Sequence, residues 1–324
     1  MLHKKLRVYK KVLDKIKKSK NILCLSHKNP DLDTVGSATG IYQILKDNFL
    51  EKNIDLVCVD NIPLKYDFLG FNKYYKNDFN PDDYDLIIFL DSGSKTQTGF
   101  DLKYPKLYDK ISYNTLNIDH HPTNEVYGKQ NVIITKYSST TMIITELFLV
   151  NGLYISSKAS TCLLSGLYTD TGAFKHSNTD KTTFFIASKL FELGGDFQLI
   201  VNNFFKNNSL KTIKLWGKIL SESFIDEDNI MNAYVNKTML DSYDTTYDEI
   251  SGVIDYLNMA EGINYTKLLT QKGEFIKGSL RTLKDDIDLT KIASLYNGGG
   301  HKKASGFTLQ AKVNTKQYLN LITK

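Results

Sequence analysis

The chain has 324 residues, enough for two domains of ordinary size, and its 41 Lys and Arg against 36 Asp and Glu leave a net charge of +5. No apolar run reaches the roughly 20 residues of a membrane span, the basic N-terminus lacks the apolar stretch of a secretory signal, and three dispersed cysteines form no CxxC pair, so we expect a cytoplasmic protein. The mild positive charge would suit a phosphate-bearing substrate, but an ordinary solvated surface explains it equally well.

Strand-like and helical segments alternate over the first half of the chain, after a basic segment whose spacing predicts a surface helix. The predicted strands are 22–27, 54–60, 84–91 and 115–121, and the predicted helices are 33–49, 138–151 and 157–168. The nearly continuous apolar run YDLIIFLD is typical of a strand buried on both faces. This alternation predicts an α/β fold with a mostly parallel, doubly wound sheet and helices on both of its faces.

The second half of the chain has a different pattern. Thr179 is predicted to cap a helix that ends near Gly194 and Gly195, and helix then covers about 197–224. Further strands are predicted at 231–235, 265–272 and 274–282, with helices near 246–260 and 288–297. We therefore expect an N-terminal domain over 1–195, a helical linker over 196–225 and a smaller C-terminal α/β domain over 226–324.

Acidic and histidine side chains follow several of the predicted elements of the first half. They are His27, Asp31, Asp33, Asp91, Asp119, His120, His121 and Asp170. Because the carboxyl ends of parallel strands meet at one edge of a sheet, the strand-end clusters should converge there. Several carboxylates at short range repel one another unless a cation lies between them. Imidazole and carboxylate ligands without thiolate favour Mn²⁺ or a similar ion, and the ligands suffice for two ions about 3.5–4 Å apart.

Each of these clusters also has a purely structural interpretation. Asp31 could simply form a turn after Pro30, Asp33 could be the N-cap of the following helix, and Asp91 could cap a loop. Adjacent histidines at a strand end are harder to explain in this way, since the chain has only six histidines. The occurrence of all the clusters in order favours a metal site.

The motifs HKNPDLDTVGS, FLDSGS, NIDHHPTN and GLYTDTGAF, in this order, resemble those of the DHH phosphoesterase family. A fifth stretch, NGGGHKKASGF at 297–307, is similar to the glycine-rich signature of the C-terminal domain found in many DHH proteins, and GSLRT at 278–282 is similar to the strand before it. The resemblance spans nearly the whole chain. It implies a metal-dependent phosphoesterase with two domains.

The resemblance also implies roles for individual residues. One metal ion would be held by His27, Asp31 and Asp91. The second would be held by Asp33, Asp91, His120 and Asp170, with Asp91 bridging the two ions. Asp119 would orient a histidine without binding metal, and His121 would point toward the scissile phosphate. The implied catalytic residues are Asp91, His121 and His301.

The C-terminal signature predicts a second phosphate-binding element. Gly298, Gly299 and Gly300 would let backbone N–H groups approach a phosphate, although such a run is also typical of a flexible loop. His301 would meet a phosphate or a leaving oxygen, and Arg281 offers a bidentate fork. We expect these residues to hold the substrate across an interdomain cleft, which suits a short ligand. The run 138–141 is expected to cap a helix, His176 to be structural, and the stretch SGSKTQTGF has no assigned role.

The length of the chain resembles that of the stand-alone nano-RNase subgroup of the family. Its members degrade very short RNA to mononucleotides, and many convert 3′-phosphoadenosine 5′-phosphate (pAp) to AMP. The expected cofactor is a pair of Mn²⁺ ions, with Mg²⁺ or Co²⁺ as substitutes. The expected partners are short RNA or DNA oligonucleotides and pAp, with no membrane; a homodimer is compatible with the sequence.

Four alternatives stay open. A pApA or c-di-AMP phosphodiesterase often carries sensory or membrane segments that this chain lacks, and a RecJ-like single-strand DNA exonuclease usually has an added nucleic-acid-binding domain. A family II pyrophosphatase would share the N-terminal motifs but not the GGGH ending. A catalytically inert nucleic-acid-binding protein would have no use for a complete set of metal ligands.

Overall fold

Six parallel strands form the sheet of the first half of the chain in the computed structural model, which describes residues 2–205 and 209–310. They are β1 Asn21–Ser26, β2 Asn53–Val57, β3 Tyr75–Lys76, β4 Leu86–Leu90, β5 Thr115–Asp119 and β6 Gln130–Ile133. Their order in the sheet is β3-β2-β1-β4-β5-β6. This is the order of a doubly wound sheet, in which the direction of winding reverses between β1 and β4, so the predicted fold class is confirmed.

Six α-helices accompany this sheet within the described residues. They are α1 Leu2–Lys18, α2 Leu32–Asn48, α3 Thr140–Val150, α4 Ser157–Asp170, α5 Lys181–Glu192 and α6 Phe197–Phe205. Along β1, Ile22 and Cys24 pack against residues of these helices, whereas Leu23 and Leu25 face the opposite side. There the core is closed by 3₁₀ helices and loops of the segment 77–127 instead of by α-helices, so the prediction of helices on both faces of the sheet is wrong for this face. The central strands are buried on both faces, which explains their continuous apolar runs.

Two glycines allow three helices to approach one another closely beneath the sheet edge. A Cβ atom on Gly36 of α2 would lie 2.5 Å from the Cys162 carbonyl oxygen of α4. A Cβ atom on Gly166 of α4 would lie 2.6 Å from Thr141 of α3 and 2.7 Å from the Asp33 carboxylate. Side chains at these two positions would force the helices apart, so the glycines set how deeply Asp33 is placed.

The second half of the chain forms a separate compact unit, divided from the first between Lys206 and Asn207. Its six-stranded sheet has the order β11-β12-β10-β9-β8-β7, in which only the β8–β9 pair is parallel. The strands are β7 Phe224–Ile225, β8 Ile230–Val235, β9 Tyr265–Lys272, β10 Phe275–Arg281, β11 Gly299–His301 and β12 Ala304–Gln310. The helices are α7 Leu210–Glu222, α8 Lys237–Ser242, α9 Val253–Leu257 and α10 Leu289–Ser294. The predicted limits of the domains and linker stay a prediction.

Several predicted elements differ from the structure in their limits. Asp180, not Thr179, caps α5, since its carboxylate accepts hydrogen bonds from the backbone N–H groups of Thr182 and Thr183. The single helix predicted over about 197–224 is α6 followed by α7, which Ser209 caps. The helix predicted at 246–260 is a 3₁₀ turn followed by α9. Strands β3, β6, β7, β11 and β12 were not predicted. All except the seven-residue β12 have two to four residues, too few to show a detectable alternation.

No helix among the described residues is both long and apolar enough to cross a lipid bilayer. Helix α1, predicted as a surface helix, buries one face completely: Tyr9, Val12, Leu13 and Ile16 lie in the core. Lys10, Lys11, Lys17 and Lys18 are exposed on its outer face, whereas Lys5 is half-buried and pairs with Glu146 of α3. The helix is thus amphipathic, and its apolar stripe packs inside the first unit.

Candidate metal centre

The predicted ligands of the first unit lie at the carboxyl edge of its sheet, around the point where the winding reverses. His27 directly follows β1 and Asp91 directly follows the neighbouring strand β4. Asp119 is the last residue of β5, and Asp170 is the last residue of α4. Ligands bind at this position in doubly wound sheets, because the loops after the two central strands diverge and leave a crevice.

One group of possible ligand atoms forms around His27. Its Nε2 atom lies 3.8 Å from Asp31 Oδ1 and 3.7 Å from Asp91 Oδ2. One ligand atom from each of the three residues falls within 4.8 Å of the others. The structure therefore brings together the three side chains that the family resemblance assigns to one ion.

A second group forms around His120 and shares Asp91 with the first. The His120 Nε2 atom lies 4.0 Å from Asp33 Oδ2, 3.6 Å from Asp91 Oδ1 and 3.2 Å from Asp170 Oδ2. Asp91 thus directs one oxygen toward each histidine. This arrangement matches a carboxylate that bridges two ions.

Backbone carbonyl groups orient both histidines. The Nδ1 atom of His27 is 2.8 Å from the carbonyl oxygen of Lys28, and the Nδ1 atom of His120 is 3.1 Å from that of Tyr137. A carbonyl oxygen only accepts, so each Nδ1 carries the proton of this hydrogen bond. Each Nε2 atom therefore faces the carboxylates, and its lone pair becomes available to a metal ion there once any proton on Nε2 is lost.

The N-terminus of α3 holds the buried carboxylates in place. Asp33 accepts hydrogen bonds from the backbone N–H groups of Thr140 and Thr141, at 2.7 and 3.1 Å. The Thr140 hydroxyl donates to Asp91 at 2.8 Å. Asp91 itself has the left-handed backbone angle φ of 55°, which Asp tolerates better than most residues. Carboxylates are favoured at a helix N-terminus, so the fold offsets part of the cost of burying them.

The structural interpretations of these residues are partly correct. Asp31, not Asp33, is the N-cap of α2, since its Oδ1 atom accepts from the N–H groups of Asp33 and Thr34 at 3.1 Å each. Its carboxylate still faces His27, so capping and metal binding are compatible there. Ser139 caps α3, as predicted for the run 138–141. Thr140 has a contact with Asp91 that sequence reasoning did not assign.

The site concentrates buried carboxylates whose mutual repulsion a bound cation would offset. Asp33 and Asp91 are 1% and 2% exposed. Burial and the nearby Asp91 charge raise the pKa values of Asp33 and Asp170 well above the usual range. Burial would also raise the pKa of Asp91, but the adjacent His27 and the charges of the three surrounding histidines lower it instead. Without a metal ion, the site can keep these groups together only by retaining protons.

The donor atoms also fit a divalent ion by their spacing. Two atoms that each lie about 2.1 Å from a cation are about 3.0 Å apart at a right angle and about 4.2 Å apart when opposed. The Nε2 to carboxylate distances of 3.2–4.0 Å fall within this range. Most exceed hydrogen-bonding distance, so the carboxylates surround the imidazole nitrogens as ligands of a shared ion would.

Asp119 contacts His121 and the backbone instead of the two ligand groups. Its Oδ1 atom accepts from His121 Nδ1 at 2.7 Å and from the backbone N–H of His120 at 2.8 Å, and its Oδ2 atom accepts from Asn124 at 2.5 Å. Burial lowers the pKa of His121, but the hydrogen bond to Asp119 and the Asp91 charge outweigh it and raise the pKa to about 10. The geometry thus favours the protonated form of His121 beside the site, and the hydrogen bond to Asp119 stabilises that form.

The stretch SGSKTQTGF, which had no assigned role, forms a loop that supports the site. Gln97 accepts from the backbone N–H groups of Gly93 and Ser94, at 2.7 and 3.2 Å. Its own backbone carbonyl accepts from the N–H of Lys28, beside His27, at 2.8 Å. The sequence around Gln97 does not predict that it supports the loop, and only the contacts in the folded chain show this role.

The candidate phosphate-binding residues of the second unit lie on and beside the antiparallel strands β10 and β11 of its sheet. Arg281 ends β10, where burial lowers the pKa of its guanidinium and the Asp255 charge, 4.0 Å away, offsets this only in part. The glycine run does not form a loop: Gly299 and Gly300 belong to β11, paired with Gly306 and Ser305 of β12. A Cβ atom at position 298 would lie 2.2 Å from the Gly306 carbonyl oxygen, whereas one at position 299 would meet open space. His301, the last residue of β11, pairs with Ala304.

Comparison with known proteins agrees with these motifs. The family model of the DHH family N-terminal domain matches residues 21–167, and that of the DHHA1 domain matches residues 227–324. The chain is 26% identical over 304 residues to the "probable bifunctional oligoribonuclease and PAP phosphatase NrnA" of Streptococcus mutans, covering 92% of each protein. It is 27% identical over 293 residues to the "bifunctional oligoribonuclease and PAP phosphatase NrnA" of Bacillus subtilis, covering 89% of each.

A solved structure shares the fold over the full length. The crystal structure of an exopolyphosphatase-related protein from Bacteroides fragilis superposes with a TM-score of 0.85, at 21% sequence identity and with 98% of each chain covered. At this identity the similarity shows the fold alone. The α/β architecture inferred from the sequence is thus found in an experimentally determined protein.

Proposed function

The chain belongs to the DHH family and is a hydrolase of phosphodiester or phosphate substrates, and from this we propose that it hydrolyses short oligoribonucleotides to mononucleotides and pAp to AMP. The observation that carries the proposal is the pair of ligand groups around His27 and His120, which share the buried Asp91. Relatives that span nearly the whole chain are named for these two activities.

Two Mn²⁺ ions are the proposed cofactors, with Mg²⁺ or Co²⁺ as substitutes. The proposed ligands of one are His27, Asp31 and Asp91, and those of the other are Asp33, Asp91, His120 and Asp170. When bound, such a pair supplies a water molecule of lowered pKa and offsets the negative charge of the phosphoryl group. Imidazole and carboxylate donors without thiolate suit these ions.

The remaining residues of the centre act on the substrate by charge and position. His121, kept protonated by Asp119, offsets the charge that develops on the phosphoryl oxygens. Asp119 fixes the ring orientation through Nδ1 and, through the backbone N–H of His120, the turn that carries both histidines. The Lys28 and Tyr137 carbonyl groups hold the ligand histidines so that their Nε2 atoms need no rearrangement.

In the second unit, we propose Arg281, His301 and the glycines 298–300 as substrate-binding residues. Arg281 is half-buried and retains donors of a planar fork, a geometry that suits a phosphate. The open space over Gly299 leaves its backbone accessible to a ligand. Replacement of Arg281 by Lys, which keeps the charge and loses the fork, should raise KM for pAp more than it lowers kcat.

A substrate panel tests the proposal. The purified protein is incubated with Mn²⁺ and pAp, pApA, RNA of two to five nucleotides, inorganic pyrophosphate or long single-stranded DNA. The expected result is release of phosphate from pAp and of mononucleotides from the short RNA. Preferential cleavage of pApA, long DNA or pyrophosphate would instead favour one of the other DHH activities, and failure on all of them in Mn²⁺, Mg²⁺ and Co²⁺ would refute the proposal.

We further propose that the protein acts in the cytoplasm. Cys24, Cys58 and Cys162 are free and buried, which is usual for a reducing compartment. Cellular fractionation with an antibody to the native protein would test this directly. Sedimentation of the purified protein would test for the homodimer.

A further inference from the structure

Three consecutive residues beside the candidate metal centre adopt the left-handed backbone conformation. Gly172, Ala173 and Phe174 have φ angles of 55°, 60° and 64°. They follow α4, whose last residue is the candidate ligand Asp170. Left-handed residues with a Cβ atom normally occur singly, so two of them after a glycine form a strained turn. Such strain persists only where the surroundings hold it, and it is concentrated at functional sites.

Hydrogen bonds tie this turn to the end of α4. The Ala173 N–H donates to the Tyr168 carbonyl at 2.8 Å, and the Phe174 N–H donates to the Thr171 hydroxyl at 3.1 Å. Further along the loop, the Asn178 side chain donates to the backbone carbonyl of Asp170 at 3.1 Å. The position of Phe174 is therefore coupled to that of Asp170, four residues earlier in the chain.

The turn places Phe174 against an exposed aromatic ring of α5. Phe174 packs with one side on the core of the first unit. Its ring stacks on that of Phe184, with 5.5 Å between the centroids and 30° between the planes. Phe184 nevertheless remains 55% exposed. A half-exposed aromatic ring that already stacks on a second ring offers a surface on which a further planar group can stack.

We propose that the Phe174–Phe184 pair is a stacking platform for a nucleobase of the substrate, an inference that rests on the proposed function. A phosphate held near Asp170 brings the rest of a nucleotide close to the turn that carries Phe174. Lys181, the first residue of α5 and three residues before Phe184 in the chain, is exposed, and its charge favours an anionic ligand over an apolar protein surface. Stacking on an aromatic ring is sequence-tolerant because every base has a π-face, which fits an enzyme that degrades short RNA of any sequence.

Calorimetric titration of the full-length protein with AMP and with ribose 5-phosphate isolates the contribution of the base. The two ligands carry the same phosphate and ribose, and neither requires turnover. The wild-type protein should bind AMP more tightly, and Phe184→Ala should weaken AMP binding by about ten-fold while leaving ribose 5-phosphate binding unchanged. Phe184→Trp should restore AMP binding. Phe185→Ala is the matched control, since Phe185 is adjacent on α5 and 58% exposed but has its ring beside Lys189.

The outcomes separate this inference from the proposed function. Base-selective binding that depends on Phe184 in a protein that cleaves no oligonucleotide would uphold the platform and refute the nuclease. Equal affinities for AMP and ribose 5-phosphate in the wild-type protein, or equal losses in Phe184→Ala and Phe185→Ala, would overturn the platform. So would dissociation of a dimer by Phe184→Ala with unchanged AMP affinity, because the pair would then be a subunit contact.

Discussion

Asp91 is the side chain on which both ligand groups converge. It is buried, it directs separate oxygens to His27 and His120, and its backbone is left-handed. Asparagine has nearly the same shape and also tolerates this backbone angle, so Asp91→Asn should fold while losing the charge that the metal ions require. We expect turnover to fall by more than the about 100-fold typical of losing an outer partner of a ligand, and metal content to fall with it.

Elemental analysis of the dialysed variant and turnover of pAp in Mn²⁺ measure the two effects. Asp67→Asn is the control, since Asp67 is exposed on a 3₁₀ helix of the same unit and accepts no side-chain hydrogen bond. An Asp91→Asn variant with full metal content and full turnover would contradict the assignment.

Asp119 stabilises the charged form of His121, so its replacement should change the pH dependence of kcat. Asp119 is among the groups that raise the pKa of His121 to about 10 against the effect of burial. Asp119→Asn keeps the shape but removes the charge, so the pKa of His121 falls and less of it is protonated in mildly alkaline solution. The alkaline limb of the kcat profile should move to lower pH, with a loss of about 10- to 100-fold in kcat and unchanged metal content.

The pH profile distinguishes this role from a purely structural one. An Asp119→Asn variant that loses activity equally at every pH would show that the carboxylate only holds the turn. The comparison requires circular dichroism of both proteins across the same pH range, since Asp119 also accepts from the backbone of His120 and from Asn124. Unchanged spectra with a shifted profile would confirm the electrostatic role.

Among the elements, the close approach of α2, α3 and α4 decides where Asp33 lies. Gly166→Ala would place a Cβ atom 2.7 Å from the Asp33 carboxylate and 2.6 Å from Thr141. We expect a loss of about 1–3 kcal/mol in the free energy of unfolding, as for other overpacked interiors, together with weaker Mn²⁺ binding because Asp33 is displaced. Urea denaturation and calorimetric titration measure the two effects.

Gly217→Ala provides the matched control for this substitution. Gly217 lies in the middle of α7, is exposed, and would meet nothing within 4 Å after gaining a Cβ atom. Alanine favours the helix there, so this variant should be about 0.5–1 kcal/mol more stable than the wild type, with unchanged Mn²⁺ affinity. If Gly166→Ala and Gly217→Ala changed the free energy of unfolding by the same amount, the close approach of the helices at Gly166 would not explain the change.

For the whole molecule, metal binding should be coupled to proton release. The pKa values of Asp33 and Asp170 are raised, and that of His27 is raised to about 9 because the adjacent carboxylates of Asp91 and Asp31 outweigh burial. The raised pKa values favour the protonated forms of these groups in the metal-free protein, and metal ligands must lose those protons. Affinity for Mn²⁺ should increase with pH, with at least about one proton released per ion.

Calorimetric titration in buffers with different heats of ionisation counts the released protons. Asp170→Asn should bind Mn²⁺ more weakly and release fewer protons than the wild type, since one raised carboxyl group is removed. Binding heats that do not depend on the buffer would contradict the coupling. An affinity for Mn²⁺ that decreases as the pH rises would also contradict the coupling, because ligands with raised pKa values bind the ion more tightly at higher pH.

Local pattern alone was sufficient for the main elements and for the identity of the ligand candidates. The apolar runs of the central strands are continuous because both faces are buried, and the ligands follow these strands because loops after parallel strands line the crevice. The family motifs assigned a role to each candidate, since His27, Asp91 and His120 are recognisable by their neighbours in the chain. Short elements such as β3 and β6 escaped prediction, because they depend on neighbouring strands for their hydrogen bonds.

Folding in three dimensions settled what the linear order leaves open. Asp33 was the N-cap that the sequence suggested and Asp31 a turn residue, but the path of α2 gave the cap to Asp31 and left Asp33 for the N-terminus of α3. The roles of Thr140, Gln97 and the Tyr137 carbonyl rest on contacts between residues distant in sequence. The glycine run became a strand because β12 lies beside it. Residue type limits which atoms can bind a metal or donate a proton, but the distances that make them do so are set by packing between segments far apart in the chain.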